Sequence, residues 1–158
     1  MATTSIKTGS CQCGNIRYEL TAAPEMLYAC HCTDCQKQSS SAFGMSLRMD
    51  PRYVNFVQGE QHLKTWITRG EDNSVKRCLF CPDCGTRIMH TSDNPDESVS
   101  IKAGSLDDTG WLQPIAHIWL RSAQPWMSID CERYRCYNRE PDDEAELARI
   151  WLNQNQNS

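Results

Sequence analysis

Ten cysteines in a chain of 158 residues carry most of its potential for chemistry. Seven of them fall in three short clusters, Cys11-x-Cys13, Cys30-x-Cys32-x-x-Cys35 and Cys81-x-x-Cys84. Such spacing suits a metal ion, because a tight turn aims both thiolates at one centre about 2.3 Å from each sulfur. The residue after the second cysteine must then tolerate a left-handed backbone, and glycine stands there in both Cys13-Gly14 and Cys84-Gly85. Cys81-Pro82-Asp83-Cys84-Gly85 therefore reads as a zinc knuckle, with Cys11-Gln12-Cys13-Gly14 ending in the same step.

An even number of cysteines also allows disulfides. The segment Met1 to Gly9 holds one lysine and no apolar run of signal-peptide length, so a cytoplasmic, reducing location is expected. Closely spaced cysteines there are metal ligands more often than bridges. A closed structural zinc takes four ligands, and the simplest sum joins Cys11, Cys13, Cys81 and Cys84. That leaves Cys30, Cys32 and Cys35, whose three thiolates would leave a fourth position for water or substrate. Two zinc ions per chain follow. Spacing alone leaves a second count open, in which Cys78, Cys131, His31, His90 or His117 fills the fourth position and both sites are structural. Cys78, Cys131 and Cys136 have no ligand spacing with one another and read as small buried hydrophobes, with oxidation partners as the alternative that no spacing supports.

The rest of the chain must position these thiols. With 39% hydrophobic and 23% charged residues and a mean hydropathy of −0.61, it has the apolar content for a core. Its longest apolar runs fall far short of the roughly 20 residues of a membrane-spanning helix. Sixteen Lys+Arg against 20 Asp+Glu leave a net charge of −4 with no basic block, which argues against nucleic acid as a partner.

Short alternating runs predict strands at Ile16–Leu20, Phe43–Met49, Tyr53–Val57, Leu63–Thr68, Val75–Phe80, Arg87–His90, Val99–Ala103 and Ile115–Leu120. Clusters such as Asp93-Asn94-Pro95-Asp96 punctuate them, so the chain reads as mainly antiparallel β. Helix is expected at Thr33–Ser39, and at Asp142–Leu152, where an acidic start precedes an apolar stripe of Leu147, Ile150 and Trp151. The polar tail Asn153–Ser158 is expected to fray. No repeat or linker is visible, which predicts a single domain over 1–158, with its core at about 8–140.

These motifs, taken in order, resemble the glutathione-dependent formaldehyde-activating enzyme family, which is grouped with centromere protein V domains. The resemblance rests on Gly9-Ser10-Cys11-Gln12-Cys13-Gly14 leading into Ile16-Arg17-Tyr18, on Cys30-His31-Cys32-Thr33-Asp34-Cys35, and on Ser41-Ala42-Phe43. It continues through Phe80-Cys81-Pro82-Asp83-Cys84-Gly85-Thr86, Ala103-Gly104-Ser105-Leu106-Asp107-Asp108, and His117-Ile118-Trp119 before Pro125-Trp126, spanning nearly the whole chain. It implies an Mss4-like, zinc-bound fold of packed antiparallel sheets. It also implies the ligand partition that counting suggests, with structural zinc on Cys11, Cys13, Cys81 and Cys84 and catalytic zinc on Cys30, Cys32 and Cys35. The implied activity is that of a carbon–sulfur lyase joining glutathione and formaldehyde to S-(hydroxymethyl)glutathione. One departure stands out: the family reads Ser-Gly after the thiol cluster, where this chain has Ser39-Ser40.

Three thiolates on Zn²⁺ leave a net charge of about −1, a weak Lewis acid suited to thiolate chemistry, and coordination would lower the pKa of a substrate thiol. The new alkoxide needs a proton, for which His31, lying between two ligands, is the candidate donor. The alternative for His31 is that it orients a ligand or packs, and His90 and His117 on strand-like runs read as structural. Lys37, Arg48 and Arg121 could meet the carboxylates of glutathione, although solvated surface charge is the plainer reading. Trp111, Trp119 and Trp126 are assigned to packing. A competing function is a non-catalytic, zinc-stabilised protein-interaction module. A weaker one is a B-type methionine sulfoxide reductase, suggested by Arg133-Tyr134-Arg135-Cys136-Tyr137-Asn138.

Overall fold

The computed structural model describes residues 6–155. In chain order its elements are β1 (Lys7–Ser10), β2 (Arg17–Leu20), β3 (Met26–Cys30), α1 (Thr33–Ser39), β4 (Gly44–Met49), β5 (Val54–Gln58), β6 (Lys64–Arg69), β7 (Val75–Phe80), β8 (Arg87–Thr91), β9 (Val99–Lys102), β10 (Ala116–Ile118), β11 (Arg135–Cys136) and α2 (Glu144–Asn155). The chain is mainly β, as the alternating runs predict. No helix among the described residues is long and apolar enough to cross a membrane.

The elements group into two compact units, each built from separated stretches of chain. The first holds the described residues up to Pro24 together with Arg48–Trp111. It contains a three-stranded antiparallel sheet in the order β1-β2-β5 and the antiparallel run β9-β8-β7-β6. Alternation explains β2, where Tyr18 and Leu20 are buried while Arg17 is exposed. Register sets Tyr18 opposite Gly9, and its ring lies where a side chain at Gly9 would sit: an added Cβ would fall 2.2 Å from the ring. Glycine at position 9 is therefore what lets this tyrosine cover β1. The Tyr18 hydroxyl shares a 2.7 Å hydrogen bond with Ser105 Oγ, which satisfies its buried polar end. Ile16, Ile88 and Ile101 complete this core without exposure, each worth about 1.5–3 kcal/mol on burial.

The second unit holds Glu25–Leu47 and the described residues from Leu112 on. Its strands run β11-β10-β3-β4, with β4 belonging to it as far as Leu47, and β10 is parallel to both β3 and β11. These two pairs depart from the antiparallel expectation. Parallel partners need long connections rather than hairpins, and β3 and β10 lie far apart in sequence. α2 packs against β3 through Leu147 and Trp151, both buried. Its start differs slightly from expectation: Asp143 Oδ1 accepts a hydrogen bond from Glu146 N (3.1 Å) and acts as the cap, so the helix begins at Glu144. Its end differs too. Asn153 to Asn155, expected to fray, continue the helix, and Asn155 Nδ2 donates to the Trp151 carbonyl (2.9 Å). Residues 156–158 of the expected tail lie outside the described residues.

Cys131 and Cys136 correct the reading of all three remaining cysteines as small hydrophobes. They form a disulfide across a six-residue loop. Cys78 alone is fully buried.

Candidate metal centres

The first sulfur cluster lies wholly in the first unit. Cys11 and Cys81 each open a knuckle in the same way: the Cys11 N–H donates to the Ile16 carbonyl and the Cys81 N–H to the Thr86 carbonyl, both at 3.0 Å. Within the turns, Gly14 N donates to Cys11 O and Gly85 N to Cys81 O, both at 2.9 Å. The two glycines take φ of +78° and +75°, the left-handed backbone that the Cys-Gly steps predict. Ile16 N donates to Cys11 Sγ (3.2 Å), and Thr86 joins the knuckles by accepting from Gln12 N (3.0 Å) while contacting Cys84 Sγ (3.2 Å).

All four sulfurs lie within 4.8 Å of one another, with Cys11–Cys13 at 3.4 Å and Cys13–Cys81 at 3.7 Å. Tetrahedral sulfurs bound at about 2.3 Å to one ion stand about 3.8 Å apart, so the cluster fits zinc. Its titration points the same way. Burial opposes ionisation of Cys84, but hydrogen bonds from the Thr86 hydroxyl and from backbone N–H groups outweigh it and bring the thiol down to about 6. The Asn15 backbone favours the Cys13 thiolate, yet the neighbouring sulfurs push that thiol up to about 12. Four thiols in so small a volume cannot all ionise unless a cation offsets their repulsion.

The second cluster lies in the second unit, where β3 runs into α1. Cys30 ends β3, opposite Ile118 of β10, and His31 N donates to the Ile118 carbonyl (3.0 Å). Cys32 is the N-cap of α1, with its Sγ accepting from Cys35 N (3.3 Å), and Cys35 sits in the first turn. A strand end, a cap and a helical turn thus converge three sulfurs within 4.8 Å. The Cys32 and Cys35 sulfurs, followed by burial, drive the Cys30 thiol far above its ordinary value, so this cluster also calls for a cation. Among the described residues, no fourth His, Cys, Asp or Glu donor belongs to the group.

His31, His90, His117, Cys78 and Cys131, the alternative fourth ligands, all lie outside both donor groups. His31 is buried without exposure, and its Nε2 meets His117 Nδ1 at 2.9 Å. Its ring packs against Phe43 (centroids 5.4 Å), and its Nδ1 has no hydrogen-bond partner. His117 in turn meets Tyr134 edge-on (centroids 5.0 Å). Sequence reasoning missed this pairing because 86 residues separate the two histidines, and only the alignment of β10 with β3 reveals it. Gln36 was also missed: its Nε2 donates to the carbonyls of His31 and Ser122, both at 2.8 Å, and so braces the thiol turn.

Burial and then the nearby His117 lower the His31 pKa from 6.5 to about 4, which keeps the ring neutral at pH 7. A base with a lowered folded pKa binds fewer protons folded than unfolded. Its share of stability is therefore full above 6.5 and is lost as pH falls toward about 4. His31→Gln is expected to reduce the slope of unfolding free energy against pH in that window by up to about one proton, measured by urea titration of the zinc-loaded chain.

The charged candidates have different surroundings. Lys37 is exposed on α1, Arg121 stacks over the Trp119 ring (4.7 Å to the centroid), and Arg48 of the first unit reaches Ser100 Oγ (3.4 Å). Of the tryptophans assigned to packing, Trp126 is a correction: it is 73% exposed, with Nε1 donating to Gln124 Oε1 (2.6 Å). Trp111 and Trp119 are half-buried, with Lys7 and Arg121 respectively lying over their rings.

A family model described as glutathione-dependent formaldehyde-activating enzyme matches residues 6–122, a span that contains all seven clustered cysteines. The chain belongs to this family. The match ends before Pro125-Trp126, short of the nearly complete coverage that the motifs imply. A crystal structure of a Rhodobacter sphaeroides protein is similar in fold, with a TM-score of 0.50 and 20% identity over 68% of this chain and 91% of that one.

The Ser39-Ser40 step has a backbone consequence. Ser40 caps the end of α1 at φ +50°, ψ +40°, a left-handed conformation that glycine adopts freely and serine does not. Ser40→Gly is expected to stabilise the chain by about 1 kcal/mol, seen as a higher urea midpoint at unchanged slope.

Proposed function

We propose that this chain is a zinc-dependent carbon–sulfur lyase or synthase acting on a thiol–aldehyde adduct, of the S-(hydroxymethyl)glutathione synthase type. The observation that carries this reading is the three-donor cluster of Cys30, Cys32 and Cys35, with no fourth His, Cys, Asp or Glu donor grouped with it among the described residues. Three protein donors on a tetrahedral ion leave one position for a substrate. Family membership supplies the substrate class, a thiol such as glutathione with formaldehyde. Zinc bound there would supply a cation that keeps a substrate sulfur ionised at neutral pH.

The chain's own residues do the positioning. Cys30 fixes one corner from a paired strand, and Cys32 and Cys35 fix two from the capped first turn of α1. Gln36 holds the intervening His31 carbonyl. In the synthase direction the thiol proton is lost, an S–C bond forms as the C=O π bond of formaldehyde opens, and the resulting alkoxide oxygen gains a proton. His31 is neutral and buried, so it serves this exchange only through its Nε2 contact with the half-buried His117.

The test is zinc-edge X-ray absorption of the zinc-loaded chain during glutathione titration, beside NMR rates of adduct formation from ¹³C-formaldehyde. The mean count is expected to rise from about 3.5 to about 4 sulfurs per zinc, with adduct forming faster than in protein-free buffer. An unchanged sulfur count together with the buffer rate would leave the zinc-stabilised interaction module instead.

A further inference from the structure

The loop from Asp130 to Arg139 lies beyond Ser122, where the family match ends, and it contains the Cys131–Cys136 disulfide. The other eight cysteines form no disulfide, and seven of them can hold metal only in reduced form. A redox environment that keeps those seven reduced acts equally on the bridged pair. Access is available: Cys131 is exposed and Cys136 half-buried. Asp130 accepts hydrogen bonds from Glu132 N (3.0 Å) and Arg133 N (3.3 Å), which fixes the turn that carries Cys131.

The loop also has something to control. β11 is only two residues long, and it lies parallel to β10 with Cys136 opposite His117. Two flanking hydrogen bonds pair it with β10, Arg135 N to Ile115 O (3.0 Å) and Tyr137 N to His117 O (2.9 Å), and the next three carbonyls, of Tyr137, Asn138 and Arg139, accept from Leu120 N, Arg121 N and Trp119 N. Tyr134, inside the disulfide ring, lies edge-on to His117, which contacts His31 between Cys30 and Cys32. So short a strand has little stability alone, and a covalent ring closure limits its freedom to leave.

We propose that Cys131–Cys136 is a thiol-exchange site that takes a small-molecule thiol as reductant, and that its opening releases β11 and Tyr134 from His117. The thiolate attacks the exposed Cys131 sulfur, the S–S bond breaks, and Cys136 leaves as a thiolate that takes up a proton. A second thiol then displaces the first, which gives the small-molecule disulfide and two cysteine thiols. Two electrons pass from the two small thiols to the protein disulfide. Glutathione as the natural reductant rests on the function proposed above; the exchange itself does not.

The experiment equilibrates zinc-loaded protein in reduced and oxidised glutathione, then quenches with acid, alkylates and reads Cys131 and Cys136 by mass spectrometry. Histidine ring NMR and circular dichroism are followed in parallel, without formaldehyde or turnover. With about a hundredfold excess of reduced glutathione the pair is expected to be mostly alkylated. The His117 and His31 signals should then move to the positions seen in a chain carrying both Cys131→Ser and Cys136→Ser, with circular dichroism unchanged. A pair that stays bridged overturns the exchange site, and a reduced pair with unmoved histidine signals overturns the coupling. Loss of the fold on reduction would show a structural staple and overturn both.

Discussion

Cys32→Ser is expected to leave a folded chain that holds one zinc instead of two and forms thiol–aldehyde adduct no faster than buffer. The substitution separates two jobs done by one atom. In the native chain Cys32 Sγ belongs to the second donor group and also caps α1 by accepting from Cys35 N. Serine is among the best N-cap residues, so its hydroxyl takes over the cap and the local fold should persist. What it does not replace is a thiolate donor, and two sulfurs make a poor zinc site. Several kcal/mol of electrostatic help would vanish with the metal, a loss of about 100-fold or more in rate. Zinc analysis, circular dichroism and the NMR rate assay check the three parts separately. A variant that keeps two zinc ions and its full rate would remove the Cys30, Cys32 and Cys35 group from the chemistry.

The clustered cysteines could be partitioned from spacing because metal geometry is local. A two-residue gap and a following glycine act within one turn, and Gly14 and Gly85 take the left-handed backbone that this requires. Alternating strands were equally visible: β7 has the predicted bounds, and β2, β4, β5, β6, β8 and β9 fall within a residue of theirs at each end. β3 was hidden for a physical reason. Met26, Leu27, Ala29 and Cys30 are all buried, because sheet neighbours and α2 cover the strand, and a strand buried on both faces has no period of two. β1 was hidden for the opposite reason, since Lys7–Ser10 offers no apolar side chain to mark a face.

The remaining features depend on long-range register. His31 meets His117 because β10 lies parallel to β3, and nothing within either segment announces that pairing. The disulfide depends on a six-residue loop closing on itself beside a two-residue strand, and such a loop has no distinguishing pattern. Local motifs thus reveal which atoms can bind, whereas the groups surrounding the site are chosen by strand order.

Cys84→Ser should have the larger effect on stability, through the first cluster. As ligands of one ion the four cysteines would tie a knuckle near the start of the first unit to one after β7, so metal binding there would close a long loop as well as two short turns. Structural zinc contributes about 10–16 kcal/mol in small zinc domains, comparable with the whole stability of an ordinary domain at about 5–15 kcal/mol. Serine at position 84 can still bond to Thr86, whose hydroxyl lies 3.2 Å from the native sulfur, so the loss would report the metal bond rather than that contact. The expected outcome is loss of hydrogen-exchange protection in β1, β2, β7 and β8 at neutral pH, and the same loss in the wild-type chain under a strong zinc chelator. The order of metal loss separates the two centres. As chelator is raised, the zinc on three cysteines should leave first with these strands still protected, because a four-thiolate site has one more bond to break. Loss of protection together with the first zinc would assign the structural role to the other cluster.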